Sequence, residues 1–520
     1  HPNTKRYRVL IVGPGYSGIL TSHSTRIRGL VSIADLAPTA VALAEGRSPP
    51  IHSEPDGNAR AHLRALDARL ARVHHDRGWV LVAVVLTMLL LIAVAPRSSP
   101  LAGPAAVTAS LLLAWGDATR FALVLVAMVV LTAALAVAAS LRRALVPWLV
   151  AAFFAAFTIV LAVDPELNSL GVFGARPDGG GRFYGIGNQL ETLLLPPVLA
   201  AAAIAGLRGL LPLAALALVT IGWSKAGADG GGLVVFATAF AVLGLRLRGL
   251  ALTPKRLALV AVAVVALTLA LVGLDAAFGG SSHVTHAVGT GPGSLLGDLG
   301  HRLHLSWAIA TNKWYRILIF LGCLAVLVLL GTIRPRLATV DAMLAGLAVS
   351  LLVNDTPVDV IGLGALGCLA LVRWESVNSR PMRRGALTTV TAVAAALTVL
   401  LLAGCGKEGV TQPLPGTVVG TVQAAAPGKA IFIAQGCGSC HTYKPAGPDA
   451  QGTIGPDLDK LAQFAKAAKQ PEPQFVHDSI VDPEKYTEKG FPKGVMPKSY
   501  KDLPASDLKA LVDFLTKPQG

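Results

Sequence analysis

Long apolar stretches separated by short polar or basic segments recur along most of the chain. They fall at about 79–95, 101–115, 121–140, 145–163, 189–206, 208–223, 231–245, 256–276, 316–332, 338–353, 357–372 and 386–404. Each reads as a membrane-crossing helix, although several are shorter than the roughly 20 residues a bilayer core asks for. The first 78 residues are soluble in character, and residues 406–426, rich in Gly, Pro, Thr and Ala, read as a linker. Near the end Leu508, Leu511, Val512 and Leu515 recur at helical spacing, with Ser506 as an N-cap and Pro518 as the stop. The expected fold is mainly α. A short α/β fragment (1–78) leads into a polytopic helical membrane domain (79–380), a further hydrophobic segment (381–404), a linker (405–426) and a small all-α domain (427–520).

Composition agrees with this division. The 520 residues are 53% hydrophobic and only 14% charged, so most of the chain must meet lipid. The net charge of +15 could point to nucleic acid. From Cys405 onward, however, there are 13 lysines, no arginine and 12 acids, so the excess lies as arginine in the short loops between spans. That is the distribution of topology signals, and it argues against a nucleic-acid partner.

Within the first 78 residues Arg8-Val9-Leu10-Ile11-Val12 reads as a strand, followed by Gly13-Pro14-Gly15-Tyr16-Ser17-Gly18, a letter-for-letter G-x-G-x-x-G. A dinucleotide fold needs a helix and a second parallel strand next, whereas Thr21 to Gly29 is broken and polar. The stretch Gly29-Leu30-Val31-Ser32-Ile33-Ala34-Asp35-Leu36-Ala37-Pro38-Thr39 resembles a segment near the C-terminal end of alkaline-phosphatase and sulfatase-like domains. No nucleophile with an Asp/His metal cluster can be matched, so the resemblance implies a truncated or degenerate tail with no catalytic residue. The chain begins without methionine, and its natural start is expected upstream or removed.

Two motifs stand out among the spans, Arg182-Phe183-Tyr184-Gly185-Ile186-Gly187-Asn188 and Ala228-Asp229-Gly230-Gly231-Gly232. They resemble recurring elements of actinobacterial multi-span proteins that follow a phosphatase-like domain. Their polar groups could meet a lipid headgroup or line a cavity, or their glycines could serve close packing alone. His283, His286, His301 and His304 form two H-x-x-H pairs in a long loop. A b-type haem or copper site would need partners across two spans, so a structural or interfacial role is expected. Cys323 and Cys368 lie in apolar runs and are expected simply to pack.

The chemistry concentrates in Cys437-Gly438-Ser439-Cys440-His441. Two thiols at C-x-x-C spacing can each add across a vinyl group of one haem, and the following histidine is placed to ligate the iron. No second pair exists in this domain to complete a tetrahedral zinc site. Residues 427–520 resemble a class I c-type cytochrome. Gly428 and Phe432 precede the motif where that family crosses its last helix, and Gly455-Pro456 follows where the family's proline carbonyl accepts a hydrogen bond from the ligand histidine. Met496 is the one methionine after the motif and is expected as sixth ligand, with His477 or a lysine as the alternative. The resemblance implies one covalently attached haem c, held by Cys437, Cys440, His441 and Met496 and buttressed by Pro456. Lys444, Lys493 and Lys498 either steer an acidic partner or form a solvated surface.

Met382-Arg383-Arg384, the apolar run to Leu402 and the small residues before Cys405 make a bacterial lipoprotein signal, with cleavage before Cys405 and a lipid on its sulfur. The same residues would serve as a last transmembrane helix. A complete signal in mid-chain suggests that residues 382–520 form a self-sufficient lipoprotein joined to an unrelated membrane protein. The linker would span about 25 Å when flexible and about 70 Å at full stretch. Haem attachment to c-type cytochromes occurs outside the cytoplasm. Counting back, Arg142-Arg143, Arg246 to Arg256, Arg334 to Arg336 and Arg373 to Arg384 fall inside, and the acidic or neutral loops at Asp164 to Asn188, Asp229 and Asn354 to Asp359 fall outside.

These features together lead us to expect an electron carrier rather than an enzyme. It would be anchored to the bacterial cytoplasmic membrane and its lipid, exchanging electrons with a quinol-oxidising complex and a terminal oxidase or other redox protein. A multi-span protein of phosphate or sulfate ester or lipid metabolism with an appended haem domain is the rival reading, and an integral redox enzyme using the loop histidines a third.

Overall fold

The computed structural model describes residues 8–175, 177, 183–277, 306–307, 311, 313–332, 334–354, 356–378, 428–491, 494–496 and 498–516. The chain divides into two compact units, His1–Pro413 and Leu414–Gly520. Segment 381–404, Cys405, the linker, the four loop histidines, Arg182, Lys493 and Pro518 lie outside the described residues, and of Lys498 only the backbone is described.

The first unit opens with two short strands, β1 (Ile19–Ser22) and β2 (Ile51–Glu54), paired antiparallel with Ile19 opposite Glu54. Helix α1 (Leu36–Ala44) lies between them. Residues 8–12, expected as a strand, have no regular structure, and Leu10 and Val12 are exposed. A strand is stable only when a neighbour takes up its backbone groups, and the β1–β2 ladder does not reach this stretch. The antiparallel pairing differs from a dinucleotide fold, and Gly18 has a packing reason. At φ 92°, a Cβ there would lie 2.2 Å from the Glu54 carbonyl oxygen.

Helix α2 (Ala59–Val94) starts 20 residues before the apolar stretch at 79. Its first half, rich in Ala, Leu and Arg, has high helix propensity. Leu66 and Leu70 on that half bury a small cluster with Ile27 and Leu170. The bundle continues through α3 (Ala102–Trp115), α4 (Phe121–Ser140), α5 (Val146–Val163), the short α6 (Pro165–Ser169) and α7 (Asn188–Gly222). It is completed by α8 (Gly230–Leu247), α9 (Pro254–Ala277), α10 (Trp314–Thr332), α11 (Ala338–Val353) and α12 (Pro357–Asn378). Among the described residues eight helices are long and apolar enough to cross a bilayer. This is a multi-pass membrane architecture.

The long α7 is a helical hairpin. A straight helix of its length would extend about 50 Å, yet Ile186, just before it, donates its N–H to Gly227, just after it, at 2.8 Å. The chain reverses at Gly206, the one non-helical residue inside, whose φ of 65° and ψ of −161° suit glycine almost alone. The apolar stretches 189–206 and 208–223 are thus the two arms.

Both ends of the bundle are tied by polar contacts. At one, Asp341 in the first turn of α11 lies between two guanidinium groups, 2.9 Å from Arg246 Nε and 2.6 Å from Arg336 Nη2, and is almost fully buried. At the other, Asn354 donates to Glu191 (2.9 Å) and Ser350 (2.7 Å), Asn188 to Thr356 (2.9 Å) and Gln189 to Asp359 (3.0 Å). The two glycine-rich motifs meet at this end. A Cβ on Gly185 would strike the Gly227 carbonyl at 2.2 Å, and one on Gly231 would strike Asn354 Oδ1 at 2.6 Å. Close approach accounts for these glycines. Cys323 and Cys368 are buried free thiols.

The N-terminal fragment docks through the Arg28 N–H, which donates to Glu166 Oε2 at 3.4 Å, and through the Arg26 guanidinium, 3.7 Å over the Tyr184 ring. Burial raises the Glu166 carboxyl above the usual carboxylate range, against the opposing effect of the Arg28 N–H. A carboxyl raised in the folded state stabilises it fully below its unfolded value, and that stability is lost as pH rises through the folded value. The thermal midpoint of the detergent-solubilised chain should therefore fall as pH rises above the ordinary carboxylate range. Part of that fall should vanish in Glu166→Gln, and identical slopes for the two proteins would contradict this.

The second unit is a small helical domain with α13 (Gly428–Ala434), α14 (Leu461–Ala467), α15 (Glu472–Val481) and α16 (Ala505–Thr516). Helix α16 begins one residue before Ser506. The Asp507 and Leu508 N–H groups donate to the Pro504 carbonyl, so Pro504 and not Ser506 holds the cap position. Helices α13 and α16 cross at Gly428, where a Cβ would meet the Ala510 carbonyl at 2.0 Å. Phe432, Tyr443 and Phe514 pack edge to face or tilted at that crossing, with centroids 5.4 to 5.9 Å apart.

Candidate haem site

Helix α13 stops because Gly436 takes the left-handed conformation (φ 70°), and the chain then makes one tight turn over Cys437–Ser439. The N–H groups of Cys440 and His441 both donate to the Cys437 carbonyl, at 3.2 and 3.0 Å. Residues three and four apart in such a turn lie on one side, which brings Cys437, Cys440 and His441 together. Both thiols are free and only partly exposed. Burial raises the Cys437 thiol above its ordinary value, and the neighbouring Cys440 acts in the same direction.

The segment after the motif folds back over it. Gly452 donates to the Gly438 carbonyl (3.0 Å), Gly455 to Cys440 (2.7 Å) and Leu458 to Thr442 (2.9 Å), while the Thr442 hydroxyl donates to Gly452 (2.9 Å). These bonds carry Pro456 to the imidazole, and its carbonyl oxygen lies 2.8 Å from His441 Nδ1. A carbonyl only accepts, so Nδ1 is the donor and Nε2 is the nitrogen left for another partner. Gly455 faces the ring so closely that a Cβ would sit 2.4 Å from His441 Cε1.

Met496 lies half-buried in a bend after Gly494, itself at φ 78°. His477, the alternative sixth ligand, is exposed on α15, with Nδ1 3.3 Å from Asp478 Oδ1. Lys444 is largely exposed, its ammonium 3.9 Å from Asp459.

Two tyrosines near the motif were not among the residues expected there. Tyr443 is buried and donates to the Phe514 carbonyl at 3.0 Å, tying the loop after His441 to α16. Burial raises its phenol, with smaller effects from Asp459 and Glu472. The Tyr500 phenol is raised by burial and then by the adjacent Cys437 and Cys440. An aromatic four residues beyond a candidate ligand methionine was the available signal for it.

The donor set fits a covalently bound haem. Two thiols at the right spacing stand beside an imidazole whose Nδ1 is held by a carbonyl, leaving Nε2 free, and a glycine leaves room against the ring. Few small helical domains combine these features outside the haem-binding electron carriers. Residues 425–518 match the family model described as Cytochrome c. This segment is accordingly a cytochrome c domain, an electron-transfer haem module. No curated protein and no solved structure matches the chain.

Replacing Gly455 by alanine should force the imidazole aside, because a Cβ cannot coexist with the ring as placed, a conflict costing on the order of 1–3 kcal/mol. We expect the variant to accumulate as polypeptide but to retain far less haem by in-gel peroxidase staining. Wild-type staining would show that the ring has freedom the geometry denies.

Proposed function

We propose that this chain is a membrane-anchored electron carrier with one haem c, bonded through Cys437 and Cys440 and ligated by His441 and Met496. It would take single electrons from a quinol-oxidising complex and deliver them to a terminal oxidase or another redox protein. The observation that carries this reading is the His441 Nδ1–Pro456 bond beside two free thiols, since it turns a histidine into an oriented ligand. The exposed position of His477 favours Met496 as the sixth ligand.

When bound, the haem supplies a one-electron couple, and a thioether ligand places that couple at high potential. The chain's own residues do the rest. Cys437 and Cys440 fix the group, Pro456 holds the imidazole, and the core around Phe432, Tyr443 and Leu511 keeps water from one side of the crevice. No proton-transfer group or nucleophile is asked of the domain, which suits a carrier rather than an enzyme.

We further propose that the haem domain lies on the extracytoplasmic side of a bacterial cytoplasmic membrane, held by segment 381–404 or by a lipid on Cys405. The arginines at the Asp341 end of the bundle and the acids at the Glu191 end support that orientation by the loop-charge rule.

Expressed in a host that matures c-type cytochromes, the full chain should give a pyridine haemochrome spectrum equivalent to one haem per polypeptide. Cys437→Ala/Cys440→Ala should be colourless, and a colourless wild type would end the reading. Intact-mass analysis of native membranes should find haem on a diacylated fragment starting at Cys405 if the signal is processed, or on a species near 53.6 kDa if it serves as a span. Haem on neither species would remove the anchoring proposal.

A further inference from the structure

The sixth-ligand segment has little regular structure of its own. Residues 494–496 are a turn and a bend, and a short turn over Lys498–Asp502 leads to α16. A hydrogen bond from Tyr500 ties 494–503 to the rest of the domain. Tyr500 Oη donates to the Gln435 carbonyl oxygen at 3.2 Å. That acceptor sits where α13 ends, among the carbonyls that a helix C-terminus leaves without an intrahelical partner. It is two residues before Cys437. The Tyr500 ring also packs against the core and stands near both cysteines. The same side chain thus touches the start of the thioether turn and, four residues back along the chain, carries the segment that holds Met496.

We propose that Tyr500 is a positioning residue for the sixth ligand. Its hydroxyl bond to Gln435 clasps segment 494–503 to the haem-attachment turn, so that the Met496 thioether holds its place against competing ligands. The proposal rests on Met496 as ligand. Ligation itself comes from the thioether, and Tyr500 acts only by limiting how far the segment departs. No covalent or redox step is assigned to the phenol.

The test uses the full chain in detergent, with Tyr500→Phe removing the hydroxyl alone and Tyr500→Leu removing the ring as well. Two measurements are made. The first is titration of the ferric protein with imidazole, followed through the weak near-infrared band of a thioether–ferric haem bond. Losing one net hydrogen bond should raise the apparent imidazole affinity about 2- to 10-fold in Tyr500→Phe, and further in Tyr500→Leu. In a Met496→Ala background, where no thioether competes, Tyr500→Phe should leave imidazole affinity unchanged. The second is hydrogen–deuterium exchange over amides 494–503, which should quicken in Tyr500→Phe whatever ligates the iron. A wild type lacking the near-infrared band would overturn Met496 as ligand and the proposal with it. A wild type showing the band, with unchanged affinity and exchange in Tyr500→Phe, would overturn the clasp alone.

Discussion

Chemistry in the C-terminal unit depends on which nitrogen of one imidazole is left free. The Pro456 carbonyl accepts from His441 Nδ1 and so leaves the other nitrogen as the one available to a metal. This bond exists only because the backbone returns over the C-x-x-C-H turn through the links from Gly452, Gly455 and Leu458. The return is possible only because Gly455 presents no side chain to the ring. Around this pair the rest of the domain acts as a brace. Gly428 lets α13 and α16 touch, Phe432 and Phe514 hold that crossing, and Tyr443, two residues beyond His441, ties the haem-motif loop to it by donating to the Phe514 carbonyl.

The membrane unit obeys a different constraint. Backbone polar groups at bilayer depth must be satisfied within the protein, so irregular segments are confined to places where other chain segments cover them. The reversal at Gly206, where nothing lies within 4 Å of the place a Cβ would take, and the junction of residues 183–187 with 224–229 are built in contrasting ways. The first uses a single residue of unusual geometry. The second uses a backbone bond across the junction, Ile186 to Gly227, and another from Asp229 back to Ile221 at the end of α7, beside a set of amide and carboxylate side chains.

Much of this was legible in the amino-acid sequence, for identifiable reasons. Eleven of the apolar stretches coincide with described helices or helix arms, because burial in lipid imposes a composition that little else produces. The cytochrome c domain was legible because Cys437-Gly438-Ser439-Cys440-His441 carries the residue types, at the spacing, that covalent haem attachment would need. Physical context decided what was not legible. Val9, Leu10 and Val12 have strand-forming side chains but no neighbouring strand in the ladder. The polar half of α2 was read only as soluble in character because its apolar face is only a few residues wide, at Leu66 and Leu70, and its partners Ile27 and Leu170 are remote in sequence. Ser506 had the chemistry of a cap, but Pro504 stands where the chain turns. Tyr500 and Tyr443 owe their importance to carbonyls at positions 435 and 514, and a carbonyl leaves no mark in the letters of a sequence.

Helix α2 runs unbroken from water into the hydrocarbon region, with no proline along its length. Its polar half carries the Leu66 and Leu70 contacts, and its apolar half is locked into the bundle through Val80, Val84, Met88 and Ile92. A helix transmits torsion well because each turn is bonded to the next. Turning the N-terminal fragment about this axis would therefore wind the buried stripe out of its grooves. Through this one continuous helix a twist of the fragment passes to the membrane helices.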